Sequence, residues 1–250
     1  MLDIPVYARV PDGFWHVIYT RTGSILRINR ALYGLKQSGR LWNERLTDVL
    51  IKRLNFIQSL NDPCMFMKEG IVLIVYVDDI LIGFSSKSYY DKLVTVLKQE
   101  FTIKELGETK NILGMVVKDK ESYRSLSLTP YIEAITKDCD VSAKVMTPYL
   151  SSFDTNGINL SEKDATQYRG DLGRLAWIAN LIRPDLAMTI SEMSCGQSIP
   201  LTSHRKEIDN ALAYVKNTKD ITLNFYKESN VKHIQLTVYV DATYAHDKES

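Results

Sequence analysis

Two apolar segments on either side of an aspartate pair constrain this chain more than any other feature. Residues 71–77 and 80–84 are rich in β-branched and aromatic side chains, which favour buried strands. Asp78 and Asp79 separate the two segments. The pattern predicts an antiparallel hairpin whose strands are covered by other elements, with two carboxylates where the strands meet.

The aspartate pair has two interpretations from the residues alone. Aspartate is a good turn residue, so the pair fits a simple hairpin connection. However, the commonest hairpin turns use Gly or Asn, and two neighbouring carboxylates repel each other unless a cation neutralises them. Mg²⁺ usually takes one or two carboxylates and leaves its other positions to water and substrate phosphate. A plain turn and a magnesium site both remain open at this stage.

Composition excludes several classes of protein. A chain of 250 residues, 45% hydrophobic and 24% charged, predicts a soluble protein with one large domain or two modest ones. Its longest apolar run, residues 71–77, is far shorter than the ~20 residues of a membrane helix. The three cysteines (Cys64, Cys139 and Cys195) have no zinc-ligand spacing and cannot build a disulfide framework. Buried thiols in a reducing compartment are the expectation.

Periodicity and capping residues predict helices and strands in irregular order. Helices are predicted where apolar residues recur at helical spacing or follow a capping residue. These segments are residues 41–54, 89–101 and 131–139, the runs beginning at Ser161 and Pro184, and the run from Ser203 to Lys216. Further short strands are predicted at residues 112–117, 221–226 and 234–240, and a linker at residues 147–159. Strands and helices that do not strictly alternate indicate the α+β class.

Charge is unevenly distributed along a chain whose net charge is only +1. Between Arg21 and Arg53 there are eight basic residues and only two acidic ones, Glu44 and Asp48. Such a stretch can follow a phosphate backbone, and it can equally be the solvated face of a helix. The basic residues are Arg21, Arg27, Arg30, Lys36, Arg40, Arg45, Lys52 and Arg53.

An ordered set of motifs resembles one family. Tyr76-Val77-Asp78-Asp79 between apolar strands resembles the polymerase-site signature of reverse transcriptases. Upstream, residues 32–37 (Leu-Tyr-Gly-Leu-Lys-Gln), followed by Arg40 and Trp42, resemble the nucleotide-binding motif of copia-type enzymes. Further matches occur in the family's order at Leu106-Gly107, Ile112-Leu113-Gly114, Tyr168-Arg169, Gly173, Leu175, Arg183-Pro184-Asp185, Tyr214-Val215 and Thr218-Lys219. Over nearly its whole length the chain is similar to a Ty/copia-type (Pseudoviridae) retrotransposon reverse transcriptase.

The resemblance implies roles for particular residues. It implies a two-metal phosphoryl-transfer site in which Asp78 and Asp79 are two of three carboxylate ligands for Mg²⁺. The residues implied to contact the nucleotide or the nucleic acid are Tyr33, Gly34, Lys36, Gln37, Arg40, Tyr76 and Gly114. Trp42 lies on the apolar stripe of its predicted helix, and we interpret it as a core aromatic side chain.

The same resemblance implies a domain order. It comprises a partial polymerase palm at residues 1–120, a thumb-like segment and linker at 121–160, a helical connection at 161–230, and the start of an RNase H-like domain at 231–250. In that last segment Asp241, at the end of a predicted strand, would be a catalytic metal ligand. The partial palm is expected to be an antiparallel sheet with helices.

The chain also departs from the family pattern. The segment Asp-Val-x-x-Ala-Phe-Leu, which carries the third polymerase carboxylate, is absent, and the opening residues resemble the stretch that follows it. Met1 is therefore expected to fall inside the domain, and the other RNase H carboxylates beyond Ser250. Asp3 matches the following loop and is not taken as a substitute. Ser38-Gly39 replaces the family's Ala-Pro, which should loosen the start of a helix.

Two functions follow from these expectations. The first is a fragment of a retrotransposon Pol polyprotein, inactive alone, whose intact enzyme uses Mg²⁺, an RNA/DNA primer–template and dNTPs, with no membrane partner. Its expected location is the cytoplasm, inside a virus-like particle, or the nucleus. The second is a degenerate or repurposed nucleic-acid-binding protein without enzymatic activity. An unrelated metal-dependent hydrolase is disfavoured because no His or Glu cluster accompanies the aspartates.

Overall fold

A computed structural model describes residues 4–10, 25–139, 145–150 and 156–227. The chain forms two compact units, Met1–Gly107 and Glu108–Ser250. Helices accompany antiparallel sheets in both, which confirms the predicted α+β class. Among the described residues, no helix has the length and apolar character needed to cross a membrane.

The described residues of the first unit form a four-stranded antiparallel sheet, a separate strand pair and two helices. Its described strands are β1 (Val6–Arg9), β2 (Ile25–Ile28), β3 (Ile57–Gln58), β4 (Met65–Lys68), β5 (Ile71–Tyr76) and β6 (Asp79–Phe84). Its helices are α1 (Ser38–Asp48), extended by a π-helical turn at Val49–Arg53, and α2 (Lys87–Glu100). β1 and β2 pair separately, while the larger sheet has the order β3-β4-β5-β6.

The predicted hairpin is confirmed as β5 and β6. In β5 the side chains of Ile71, Leu73 and Val75 are buried, and the alternating ones face away from the core. The buried side chains pack with apolar residues of α1, of the π-helical turn and of α2. One face of the sheet therefore carries two helices, which fixes the direction in which the alternate residues point.

The described helices of the first unit lie close to their predicted positions. α1 begins three residues before the predicted residue 41, and its last predicted turn widens into the π-helical segment. α2 begins after Ser86, whose hydroxyl accepts a hydrogen bond from the backbone N–H of Ser88 at 3.3 Å. This cap satisfies one of the free N–H groups of the first turn.

The second unit packs three longer helices around a second antiparallel sheet. Its strands are β7 (Asn111–Ile112), β8 (Met115–Asp119), β9 (Tyr123–Ser127) and β10 (Leu223–Tyr226), in the order β10-β9-β8-β7. Its helices are α3 (Thr129–Ile135), α4 (Glu162–Leu181), α5 (Ala187–Cys195) and α6 (Thr202–Asn217), with a 3₁₀ turn at Pro184–Leu186. Ser161 caps α4 as predicted, accepting a hydrogen bond from the N–H of Asp164 at 3.2 Å.

Two predictions in this unit need correction. The single strand predicted at residues 112–117 was wrong, because a turn at Leu113 and Gly114 divides it into β7 and β8. Both turn residues have positive φ, at 50° and 79°, as a tight type I′ connection requires. The helix predicted at residues 131–139 already ends at Ile135, and the predicted strand at 234–240 lies outside the described residues.

The sheet of the second unit is built from segments that are distant in sequence. β8 pairs with β9, and β9 also pairs with β10 from the segment expected to be helical. The β9–β10 pair joins residues about 100 positions apart in sequence. Local patterns carry no information about such pairing, so the sequence alone did not reveal this sheet.

A buried polar network connects α6 to the 3₁₀ turn. The fully buried guanidinium of Arg183 donates to the carboxylate of Asp185 at 2.8 Å and to the carbonyl of Thr218 at 3.0 Å. Burial opposes ionisation of Asp185, but the hydrogen bonds from Arg183 and from the Tyr214 hydroxyl outweigh it and lower the pKa of Asp185. The Arg183-Pro184-Asp185 motif thus has a structural role here.

Glu207 is a second buried ionisable residue, and its carboxylate has fewer hydrogen-bond partners than the guanidinium of Arg183. Its Oε1 accepts a hydrogen bond from the N–H of Leu150 at 2.8 Å, whereas Oε2 has no partner among the described residues. Burial raises the pKa of Glu207; the Leu150 bond opposes this shift, and the charge of Glu192 adds to it. Since the folded state then binds the proton more tightly than the unfolded state, stability falls as the pH rises through the raised pKa.

We predict that Glu207→Gln stabilises the protein at pH 7. Glutamine keeps an oxygen for the Leu150 N–H and removes the buried charge, so a gain on the order of 1 kcal/mol is expected. The variant should also lose less stability between pH 5 and pH 7 than the wild type. Urea unfolding at several pH values measures both effects, with the exposed Glu121→Gln as control. Equal pH dependence in Glu207→Gln and wild type would contradict the prediction.

Candidate active site

The turn of the β5–β6 hairpin lies one residue earlier than the sequence suggests. Tyr76 pairs with Asp79, so the two turn residues are Val77 and Asp78, and Asp79 belongs to β6. Val77 has a φ of +51°, while Asp78 has no positive φ. This is the combination of a type II′ turn, which usually has glycine at its first position. A β-branched residue in that conformation is strained.

Both carboxylates of the hairpin are exposed. Asp79 shares a face of the sheet with Tyr76, whose side chain is 51% exposed, and this face is the one opposite α1 and α2. Among the described residues, neither Asp78 nor Asp79 has an ion-pair partner. Exposure lets water screen their mutual repulsion, so the pair is tolerated without a cation.

The residue types at the hairpin are suitable ligands for a divalent cation. Two neighbouring carboxylates offer the hard oxygen ligands that Mg²⁺ prefers, and their exposure leaves room for water and phosphate oxygens. No group of three or more potential His, Cys, Asp or Glu ligands occurs among the described residues. The described part of the chain thus offers two neighbouring carboxylates that could hold a divalent cation.

Trp42 connects α1 to the hairpin turn. Its indole N–H donates a hydrogen bond to the backbone carbonyl of Val77 at 2.9 Å, across 35 residues of sequence. Its ring packs edge-on against Phe101, with centroids 5.2 Å apart. Trp42 is half-buried against the core as predicted, but the sequence analysis missed its contact with the turn. The signal was available, because a partly buried indole N–H usually finds an acceptor.

Four of the predicted nucleotide-binding residues, Tyr33, Gly34, Lys36 and Gln37, lie in the loop that leads into α1. Tyr33 is 94% exposed, Gly34 has a φ of +94°, and Lys36 is also exposed. The Ser38 hydroxyl donates to the carbonyl of Leu32 at 2.6 Å and so closes the loop at the start of α1. Ser38 therefore stabilises the start of α1, which Gly39 was expected to loosen.

This loop leads directly towards the hairpin. Gln37 is the N-cap residue of α1, and Trp42 follows five residues later. At 1.5 Å per residue, the two positions are only about 7.5 Å apart along the helix axis. Because Trp42 contacts Val77, the start of α1 is connected to the aspartate turn. The structure thereby joins in one unit the two motifs that the sequence separates by some forty residues.

The basic stretch is partly neutralised by ion pairs. Arg40 pairs with Glu44 at 2.6 Å, and Lys52 pairs with Asp48 at 2.8 Å. Arg45 and Arg53 share the mostly buried carboxylate of Glu100, at the end of α2. The helical half of the stretch is therefore an ion-paired surface that also ties α1 to α2. Three exposed basic residues outside these pairs remain among the described ones, at Arg27, Arg30 and Lys36.

Two predicted site residues do not belong to the described part of the first unit. Gly114 belongs to the second unit, in the turn between β7 and β8. Asp241 lies outside the described residues. The structure thus groups the loop before α1 and the hairpin, and leaves the roles of Gly114 and Asp241 as predictions.

Comparison with known proteins identifies the family. A sequence profile described as reverse transcriptase (RNA-dependent DNA polymerase) matches residues 1–151, which include the loop, α1 and the hairpin. The chain belongs to this family. Similar proteins named for Ty and related transposons assign it more closely to the Ty/copia-type retrotransposon reverse transcriptases.

Three relatives illustrate the similarity of this reverse transcriptase chain. A putative transposon Ty5-1 protein of Saccharomyces cerevisiae is 29% identical over 97% of the chain and 80% of its own length. The retrovirus-related Pol polyprotein from transposon RE1 of Arabidopsis thaliana is 30% identical over 98% of the chain. A Ty1-ER2 Gag-Pol polyprotein of S. cerevisiae is 26% identical over 88% of the chain.

The chain corresponds to a small part of the longer relatives. It spans 17% of the RE1 polyprotein and 14% of the Ty1-ER2 polyprotein. No solved structure matches it significantly. The similarity thus relates this chain to the reverse transcriptase region of retrotransposon Pol polyproteins.

We predict that Asp78→Asn hardly changes stability without divalent ions. Because Asp78 is exposed and not ion-paired among the described residues, the change in unfolding free energy should stay within about 0.5 kcal/mol. Millimolar Mg²⁺ should stabilise the wild type slightly and the variant less. Thermal melts with and without Mg²⁺ test this, with the exposed Asp138→Asn of the second unit as control. Stabilisation of the wild type by micromolar Mg²⁺ would contradict the loose site expected from two carboxylates.

Proposed function

We propose that this chain is the part of a retrotransposon reverse transcriptase that carries the metal-binding hairpin and the nucleotide-binding loop. The carrying observation is the β5–β6 hairpin, which presents Asp78 and Asp79 to solvent beside the exposed Tyr76. The contact of Trp42 with the turn supports a common site for the hairpin and the loop before α1. The substrates would be a primer–template of RNA and DNA and a dNTP.

The hairpin residues would act by holding charge in place. Bound divalent ions, Mg²⁺ in our proposal, would favour ionisation of the primer 3′-hydroxyl and neutralise the triphosphate. Asp78 and Asp79 would hold these ions through carboxylate oxygens. Tyr76 would lie beside the primer terminus, while Tyr33 and Gly34 approach the nucleotide and Lys36, Gln37 and Arg40 contact phosphates.

We further propose domain roles that follow the family order. Residues 1–120 would be a partial polymerase palm in which Gly114 contacts nucleic acid, and residues 121–160 would be a thumb-like segment and linker. The helices α4 to α6 would form a connection region. Residues 231–250 would begin an RNase H-like domain with Asp241 as a metal ligand. As part of a polyprotein, the chain is expected in a virus-like particle in the cytoplasm, or in the nucleus.

The 250-residue polypeptide by itself should be incomplete as a catalyst. Its sequence lacks an Asp-Val-x-x-Ala-Phe-Leu segment, and the hairpin offers two carboxylates where the family's two-metal chemistry uses three. β6 lies at one edge of its sheet among the described strands, so a further strand has a place to pair. The alternative function is nucleic-acid binding without catalysis, which the two-carboxylate site also favours.

We predict weak, salt-dependent binding to an RNA–DNA duplex. Within the basic stretch, Arg27, Arg30 and Lys36 are the described exposed cations outside the ion pairs, so about three phosphate contacts are expected from this stretch. The slope of log K against log salt should then be about −3 or shallower. Fluorescence anisotropy of a labelled hybrid at several salt concentrations measures it.

Matched variants assign this binding to particular residues. Lys36→Ala should reduce the magnitude of the slope by about 1, since one phosphate contact is lost. Lys52→Ala is the control, because Lys52 is already paired with Asp48. Binding that does not depend on salt, or equal effects of both variants, would argue against the proposed interface.

We predict that the 250-residue chain does not extend a primer on poly(rA)–oligo(dT) with Mg²⁺ or Mn²⁺. Loss of one preorganised group that stabilises transition-state charge commonly costs 10²–10³-fold in rate, and a missing bridging ligand should cost at least about that much. The open edge of β6 favours aggregation, so only monodisperse protein is informative.

The positive control is a fusion that supplies the missing Asp-Val-x-x-Ala-Phe-Leu segment ahead of residue 1. This fusion should extend the primer, and the same fusion with Asp78→Asn should not. Extension by the 250-residue chain itself, abolished by Asp78→Asn, would show that two carboxylates suffice. A fusion that folds but neither binds duplex nor extends a primer would favour the alternative function.

A further inference from the structure

We propose that Trp42 is a positioning residue, which fixes the peptide unit between Val77 and Asp78 and thereby the direction of the Asp78 carboxylate. The Trp42 indole N–H donates a hydrogen bond to the backbone carbonyl of Val77 at 2.9 Å. The meaning of this contact for metal binding rests on the function proposed above. Its effect on the turn rests on the hydrogen bond and on the turn geometry alone.

The turn needs an external constraint, because its sequence does not favour its conformation. Val77 occupies a φ of +51° at a position where glycine is the usual residue. Strain of this kind commonly costs about 1–3 kcal/mol and persists only where the surroundings enforce it. The Tyr76–Asp79 strand pair closes the ends of the turn but does not contact its central peptide.

The hydrogen bond from Trp42 acts on that central peptide. The carbonyl of Val77 belongs to the peptide unit that joins the two turn residues, Val77 and Asp78. Type II′ and type I′ turns share a positive φ at the first residue and differ by a flip of this peptide, which gives the second residue a positive φ. Aspartate tolerates positive φ, so residue preference alone leaves the flipped form accessible. Donation to the Val77 oxygen selects the observed form.

The Trp42 indole is itself held in place by α1 and by the C-terminal end of α2. Trp42 is on α1, and its ring packs edge-on against Phe101, the residue that ends α2. Immediately before Phe101, Glu100 accepts the guanidinium groups of Arg45 and Arg53. The indole therefore has a defined position relative to β5, and the turn is tied to the rigid helical layer of the unit.

The consequence concerns Asp78 more than Asp79. Asp79 is fixed by its strand pair with Tyr76, whereas Asp78 follows the peptide that Trp42 orients. A flip of that peptide would turn the Val77 carbonyl and the Asp78 N–H to opposite sides of the turn and change the φ of Asp78, which alters the position of its carboxylate relative to that of Asp79. Trp42 should therefore influence divalent-cation affinity without touching the cation.

The test compares wild type, Trp42→Phe and a matched control, Trp177→Phe, all in the 250-residue chain. Phenylalanine keeps an aromatic ring against Phe101 and removes the indole donor. Trp177 is 39% exposed on α4 in the second unit, so its replacement reports the generic effect of losing a tryptophan. Each protein is labelled with ¹⁵N and ¹³C for NMR.

The first readout concerns the turn and needs no metal. In the wild type, the Trp42 indole N–H should exchange with solvent more slowly than that of Trp177. In Trp42→Phe the Asp78 amide should shift and broaden from exchange between two turn forms. A rapidly exchanging Trp42 indole in the wild type, or an unchanged Asp78 amide in the variant, would overturn the proposal. The wild-type measurement decides this even where the variant does not fold.

The second readout is Mn²⁺ affinity, measured from paramagnetic broadening well below the melting temperature. Trp42→Phe should weaken Mn²⁺ binding by about tenfold, the lower end of the cost of losing an outer-shell partner, and Trp177→Phe should leave it unchanged. A merely structural Trp42 would lower the melting temperature and leave Mn²⁺ affinity at the wild-type value, which would overturn the positioning role. If the wild type binds no Mn²⁺, the proposed metal function fails, and the amide readout alone decides on the turn.

Discussion

Strand β5 buries every second side chain between the sheet and two helices, and the geometry of the candidate site depends on this alternation. Ile71, Leu73 and Val75 face the helical layer, so Tyr76 and its strand partner Asp79 must face the opposite side. A shift of one residue in register would expose three apolar side chains and bury the hairpin's polar end. The hydrophobic core of the first unit therefore determines the face from which the carboxylate of Asp79 projects.

The same helices that cover the sheet also hold its turn. α1 provides the indole that bonds to Val77, and α2 provides the aromatic ring against which that indole packs. The two helices are joined in turn through the carboxylate of Glu100. Packing energy from the core can thus maintain a strained turn at the surface, which is how strained residues at functional sites usually persist.

Electrostatics divides the basic residues of the first unit into two groups. Those on α1 and its π-helical extension are paired with carboxylates and contribute mainly to the helical layer. Those in the loop before α1 and in β2 remain available to a polyanion. The second unit shows the opposite use of charge, because the buried Arg183 pairs with the partly exposed carboxylate of Asp185 and connects α6 to a 3₁₀ turn.

The sequence by itself determined the hairpin, most helices with their caps at Ser86 and Ser161, and the family, because these depend on local periodicity and on ordered motifs. Only the tertiary structure decided three things. The hairpin turn is Val77-Asp78, one residue earlier than the sequence suggested. Strand β10 pairs with β9 across the second unit. Half of the basic stretch is paired with carboxylates, one of them on α2. Trp42, predicted as a core aromatic residue, also donates a hydrogen bond to the Val77 carbonyl. Each of these depends on contacts between residues distant in sequence, whose partners no local pattern specifies.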